Sequence, residues 1–304
     1  MNFLEVAGSR TIFDSLDITE STKQDYLARL PYFLGFANRD GITRDLLLNY
    51  KKHLRSRTDL GVASKNKYLA VARLTMKELY RQGYISIDLS LNVKSFQQSQ
   101  KHKVDGLNDA EMSRLLEHLK ILPNDFKSVR LKALVSLLLY QGLRQIEICR
   151  LDVTDIDLAS RRIYVRGKGQ DDREPIYLHP ETIKALTAYT KASKVKDGAL
   201  FTSLWGQSKG KRLSTRGLRQ IIQQALQSIG IYRTVHGFRH TFTTKLIKAY
   251  NGDLTTVARF TRHRNMDTLI IYNDEITHLS DLGTYHKAFS FINPSINTLK
   301  TDDL

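Results

Sequence analysis

His236-Gly-Phe-Arg-His-Thr-Phe-Thr-Thr244, continuing as Lys245-Leu-Ile-Lys-Ala249, has the spacing of a helix packed inside a protein. Val235, Phe238, Phe242, Leu246 and Ile247 recur at three- and four-residue intervals, so one face is apolar. His236, Arg239 and His240 stand at i, i+3 and i+4 and are expected to share a face. Three basic groups buried together are costly unless an anion neutralises them. The alternative is a hydrogen-bonded core histidine beside a surface arginine. This helix sets the class of the chain: mainly α.

Working outward, the neighbouring segments are also helical. Upstream, Leu131–Tyr140 is strongly apolar and is interrupted at Gly142, just before Arg144 and Glu147. Arg144 reads either as a charge at a helix end paired with Glu147 or as an anion-binding group. One β-region intervenes. Ile163-Tyr-Val-Arg166 and Pro175-Ile-Tyr-Leu178 flank a Gly-rich polar turn, which predicts a hairpin with Lys168 at its tip. Lys168 reads as a solvated turn lysine, or as a mobile ammonium able to reach a leaving oxygen. The expected fold is therefore α+β, mainly α with a small β-hairpin.

Ser95–Gly106 is polar, basic and without periodicity, and reads as a linker. Asn108-Asp-Ala-Glu111 after it forms a capping box, with Leu107 and Met112 spaced as a hydrophobic staple. The expected division is a helical domain at 1–98, a linker at 99–106 and a mixed α+β domain at 107–304. In the first of these, residues 22–37, 43–57 and 64–82 show helical spacing, as in Leu69, Ala72, Met76 and Leu79.

The chain has 304 residues, and its charge is 47 − 31 = +16, which favours a polyanionic partner. Much of this charge lies at Lys51, Lys52, Arg55, Lys65, Lys67, Arg73, Lys77 and Arg81, opposed between 51 and 81 by only Asp59 and Glu78. Arg73, Lys77 and Arg81 recur every fourth residue and predict one stripe, either a solvated face or a phosphate-contacting one. The scarcity of acids favours the second. The single cysteine, Cys149, excludes an internal disulfide framework and any multi-cysteine metal site. No segment approaches the roughly 18–20 apolar residues of a membrane span, so an intracellular, cytoplasmic protein is expected, nucleoid-associated in a bacterium.

In the last box, His263 precedes Tyr272 by nine residues. Tyr272 alone reads as a core aromatic, one of 14 tyrosines; its place in the pattern singles it out. Gly142–Leu151, Arg166-Gly-Lys-Gly169, His236–Thr244 and Thr261–Tyr272 together resemble the four motif boxes of the tyrosine recombinases, the phage-integrase family. The resemblance covers about 107–290; the N-terminal part fits the family's helical DNA-clamp domain by size and charge only. In the last box Thr261-Arg262 stands where the family usually has Leu-Gly.

The resemblance implies a site-specific recombinase. Tyr272 would attack a DNA phosphodiester and leave a 3′-phosphotyrosyl link with a free 5′-hydroxyl. His236 would act as general base, Arg144 and Arg239 would grip the non-bridging oxygens, and His263 would hydrogen-bond one of them. Lys168 would protonate the leaving oxygen, Glu147 would orient Arg144, and His240 would support the set from behind. No metal, ATP or other cofactor is called for. The partners implied are double-stranded DNA and further copies of the chain, two on one site and four in synapsis. Leu279, Leu282, Tyr285, Phe289 and Ile292 mark an amphipathic segment that would dock on its own domain or on a neighbouring protomer. Little sequence precedes the first helix, so no separate arm-binding domain is expected. Two other readings are a type IB topoisomerase, with the same attack, and a non-catalytic architectural DNA-binding protein.

Overall fold

The computed structural model describes residues 11–91, 93–98, 106–166, 173–263 and 265–280, with side chains in the last helix described as far as Asn273. The chain splits into two compact units, Met1–Gln100 and Lys101–Leu304. Of the linker expected at 99–106 only Gly106 is among the described residues.

In the first unit the helices are α1 (Glu20–Asp40), α2 (Leu46–Ser56) and α3 (Val62–Arg81). Thr19 caps α1 by accepting from the backbone N–H of Thr22, and the chain turns at Gly41 with φ 75°. The apolar positions meet in one core, where Phe33, Leu46, Tyr50, Leu54, Ala72, Met76 and Leu79 are fully buried. At about 2 kcal/mol for each large buried side chain, this core is the main source of the unit's stability.

The second unit begins at the capping box. Asn108 accepts from the Glu111 N–H and Glu111 accepts from the Asn108 N–H, which starts α4 (Asp109–Ile121). Helix α5 (Phe126–Leu139) is buried nearly all round, with Leu134, Leu137 and Leu138 at its inner face, and forms the centre of the unit. It is followed by α6 (Gln145–Arg150) and a three-stranded antiparallel sheet of β1 (Ile156–Asp157), β2 (Arg162–Arg166) and β3 (Arg173–Tyr177), in that order. Ile163 pairs with Ile176 and Val165 with Glu174. Ile163 and Val165 alternate into the core, as period two requires. Pro175 lies in the edge strand β3, where its missing N–H does least harm. The two-residue β1 was not legible in the sequence, since two residues carry no periodicity.

Next come α7 (Pro180–Ser193), α8 (Thr215–Gln227), α9 (Val235–Ala249), α10 (Leu254–Thr261) and α11 (Met266–Ser280). Helix α9 packs against α5, α10 and α11, and so holds together the segments that carry the sequence motifs. Among the described residues no helix is long and apolar enough to cross a membrane.

Candidate active site

The site is built first from a backbone constraint. After α5 the chain turns at Gly142 with φ +57°, and a Cβ there would lie 2.2 Å from Phe242 Cδ1 on α9. Only glycine allows both that turn and that approach. The turn delivers Arg144 to the N-terminal end of α6. Its backbone N–H donates to Glu147 Oε2 at 2.8 Å and its Nη1 to Glu147 Oε1 at 2.9 Å. The Glu147 side chain is 1% exposed and that of Arg144 36% exposed, so the pair has an inner and an outer member.

Arg239 comes from the middle of α9 and is buried. Its Nη1 donates to Gly142 O at 2.7 Å and its Nη2 to Thr261 O at 2.5 Å, with His263 Nε2 3.4 Å from the same nitrogen. Burial, then the charges of Arg144 and Arg262, push the Arg239 pKa down to about 10, which leaves it charged at neutral pH. His263 Nδ1 lies 2.7 Å from Thr261 Oγ1, while that hydroxyl donates to Val257 O at 2.9 Å. With its one hydrogen so committed, the hydroxyl accepts from Nδ1–H, which leaves a lone pair on Nε2. Burial, then the charges of Arg239, Arg144 and Arg262, push the His263 pKa down to about 3, so the ring is neutral.

Helix α9 does not bury its three basic groups together. Arg239 and His240 are buried, whereas His236, at the second position of the helix, is exposed. The shared face is real, but at a helix end a neighbouring turn is missing to cover it. His236 nevertheless lies near enough to His263 to interact with it electrostatically. Tyr272, from α11, is 4% exposed in a small cluster with Ile247, Val257 and Leu269. Its ring centroid is 4.7 Å from that of His240 at an interplanar angle of 53°, and its hydroxyl interacts electrostatically with Arg239. Tyr272 is thus a core aromatic and a neighbour of the buried arginine at once. Arg144, Glu147, His236, Arg239, His240, His263 and Tyr272 are brought together; Lys168 lies outside the described residues.

Sequence reasoning missed a further member. Arg262 adopts the left-handed conformation, φ 55° and ψ 43°, that ends α10. Its side chain is 5% exposed and Nη2 donates to Glu147 Oε2 at 2.7 Å. The available signal was an arginine at a position where a glycine was expected.

In the first unit the basic residues divide. Lys52, Arg55, Lys67, Lys77 and Arg81 are exposed, whereas Lys51, Lys65 and Arg73 are half-buried. Lys51 Nζ donates to Lys94 O at 2.6 Å and lies over the Phe96 ring; Lys65 Nζ donates to Arg55 O at 3.1 Å. Arg81 Nε donates to the buried Glu78 at 2.9 Å, and its Nη2 to Ser15 Oγ at 2.5 Å. Arg73 is half-buried, with its Nε covered, whereas Lys77 and Arg81 of the same stripe are exposed. Of the expected docking segment, Leu282, Tyr285, Phe289 and Ile292 lie outside the described residues, as does the side chain of Leu279.

A helical unit bearing two arginines, two histidines and a tyrosine at these spacings defines a class. The chain belongs to the phage integrase family, whose model matches residues 106–278. A tyrosine recombinase XerC of Shewanella amazonensis is 31% identical over 223 residues, covering 69% of this chain and 70% of the relative. The fold is similar to that of the XerH site-specific recombinase in a post-cleavage complex with a palindromic difH substrate, with a TM-score of 0.70 at 22% identity, covering 89% of this chain and 79% of that one. It is also similar to a lambda integrase tetramer bound to a Holliday junction, with a TM-score of 0.66 at 14% identity, covering 90% and 76%.

Proposed function

We propose that this chain is a site-specific DNA recombinase in which Tyr272 is the nucleophile. The observation that carries the reading is the convergence of Arg144, Arg239 and His263 within reach of one another, with Tyr272 packed on His240 beside Arg239. Tyr272 Oη attacks phosphorus and its proton passes to His236. The bond from phosphorus to the 5′-oxygen breaks, and Lys168 protonates that oxygen. A tyrosine has a pKa near 10, so it needs nearby positive charge to act as phenolate, and Arg239 supplies it. The guanidiniums of Arg144 and Arg239 offset the charge that builds on the non-bridging oxygens. His263 is neutral with Nε2 as acceptor in the free protein; an arriving phosphate opposes the positive field on it and favours the protonated, donating form. The 3′-phosphotyrosyl link conserves bond energy, so religation to a new 5′-hydroxyl needs no ATP.

We assign the N-terminal helical region, residues 1–98, to clamping the duplex and residues 107–304 to catalysis, with 99–106 between them. Lys52, Arg55, Lys67 and Lys77 are exposed cations that would meet phosphates, whereas Arg81, also exposed, is held by Glu78. Assembly as two copies on one site and four in synapsis follows the tetramer in which lambda integrase holds a Holliday junction. Such an enzyme works where the chromosome is, in the cytoplasm. Neither relaxation of DNA by a monomer nor a purely architectural role finds support among the relatives.

A covalent-trapping assay tests the reading. The protein is incubated with a pool of nicked duplexes from its own genome, in EDTA, beside Tyr272→Phe. A denaturation-resistant adduct at one sequence, absent in the variant, is expected. Adducts at many unrelated sequences would point to a topoisomerase, and tight binding with no adduct would sink the assignment of Tyr272.

A further inference from the structure

Arg262 stands in a backbone conformation that favours glycine and is disfavoured for residues with a Cβ. A non-glycine residue held there invites a search for what its side chain does. That side chain is 5% exposed, and its Nη2 is 2.7 Å from Glu147 Oε2, on the opposite oxygen from the one that Arg144 Nη1 uses. Its Nε lies 3.9 Å from Glu174 Oε2 on β3, and its Nη1 is buried with no hydrogen-bond partner. Glu147 therefore sits between two arginines, one inner and one outer.

The charge count shows what this does. Arg144, Arg239 and Arg262 against Glu147 and the more exposed Glu174 give 3 − 2 = +1 around the site; without Arg262 the sum is 2 − 2 = 0. A carboxylate only 1% exposed has almost no water to share its charge and must be neutralised by the side chains that touch it. If Arg144 were its sole cation, the positive charge of Arg144 would be spent on Glu147.

We propose that Arg262 is a positioning residue: by neutralising Glu147 from the inner side, it leaves the guanidinium of Arg144 fixed in place but free in charge for the scissile phosphate. The inference rests on the reading above, in which Arg144 grips that phosphate. Its reach extends to the neighbouring groups, since the charge of Arg262 also acts on Arg239 and His263.

The substitutions Arg262→Gly and Arg262→Lys separate charge from turn. Glycine suits the left-handed turn better than arginine does, so a role confined to the turn predicts that Arg262→Gly cleaves at least as well as the wild type. Lysine keeps the charge, and this chain already tolerates a lysine in the same conformation at Lys194. Both are tested with the nicked-duplex pool under single-turnover conditions, with Tyr272→Phe as control. The expected result for Arg262→Gly is a cleavage rate at saturating enzyme lower by about 10- to 100-fold, as when a partner that orients a reacting group is lost, with duplex affinity changed by less than about 3-fold. Arg262→Lys is expected to recover part of the rate. Histidine NMR of the free Arg262→Gly protein is expected to show His263 titrating at higher pH than in the wild type.

Arg262→Gly cleaving at the wild-type rate would overturn the proposal, as would Arg262→Lys performing no better than Arg262→Gly. A wild type that forms no Tyr272-dependent adduct would instead bring down the functional reading, and this inference with it.

Discussion

The guanidinium of Arg239 is anchored 2.7 Å from the carbonyl of Gly142, 97 residues earlier in the chain. The glycine that makes room for Phe242 on α9 therefore also fixes the arginine that α9 carries. Gly142→Ala puts a methyl group where Phe242 stands and strains a positive φ. A loss of about 2–4 kcal/mol in urea denaturation is expected, together with loss of adduct formation. Adding Phe242→Ala is expected to recover the steric part only. Full recovery would show that the backbone turn carries no cost.

Removing Glu147 exposes the opposite dependence. Arg262 would be left buried with no carboxylate on Nη2, and Glu147→Ala is expected to cost about 3 kcal/mol or more. Glu147→Gln keeps an acceptor and is expected to cost less, while still lowering the cleavage rate. Equal stability of both variants with the wild type would mean that the ion triad contributes nothing to the fold.

His263 gives a pH signature in the free protein. Its folded pKa is about 3 against an ordinary value near 6.5, so the unfolded chain binds the extra proton between those limits. Its contribution to stability is complete above about pH 6.5 and is lost as the pH falls toward 3. Carboxylates titrate in the same window, so the comparison is with His263→Gln, whose stability is expected to fall less steeply. Parallel pH curves for the two proteins would contradict the neutral, buried imidazole.

The exposed and paired cations of the first unit are expected to behave differently. Lys67→Ala and Lys77→Ala should each lower the slope of log K against log salt by about 1, the signature of a lost phosphate contact. Arg81→Ala should leave that slope alone and reduce stability instead, because Arg81 pairs with the buried Glu78. A slope change in Arg81→Ala equal to that of Lys77→Ala would place Arg81 on the duplex.

Much of the fold was legible because it follows from local rules. The periodicity of Leu69, Ala72, Met76 and Leu79 placed α3, and the Asn108–Glu111 box placed the start of α4. What was lost depended on partners remote in sequence. Helical spacing put His236 on the face of Arg239 and His240, but periodicity says nothing of how far along a helix its cover extends. Four-residue spacing likewise put Arg73 in line with Lys77 and Arg81, but spacing does not show that Arg73 is half-buried with its Nε covered while the other two are exposed. Arg262 was visible only as a missing glycine, because its meaning lies in Glu147, 115 residues away.

The left-handed turn at Arg262 also bears on ancestry. Arginine and glycine codons are immediate neighbours, and each residue completes this turn in its own way, one by conformational ease and the other by a buried ion pair. A lineage could pass between them in one step without ever losing the bend that aims His263. Either residue keeps the bend, but only arginine also brings a cation to Glu147, so the two forms differ in charge and not in backbone angle.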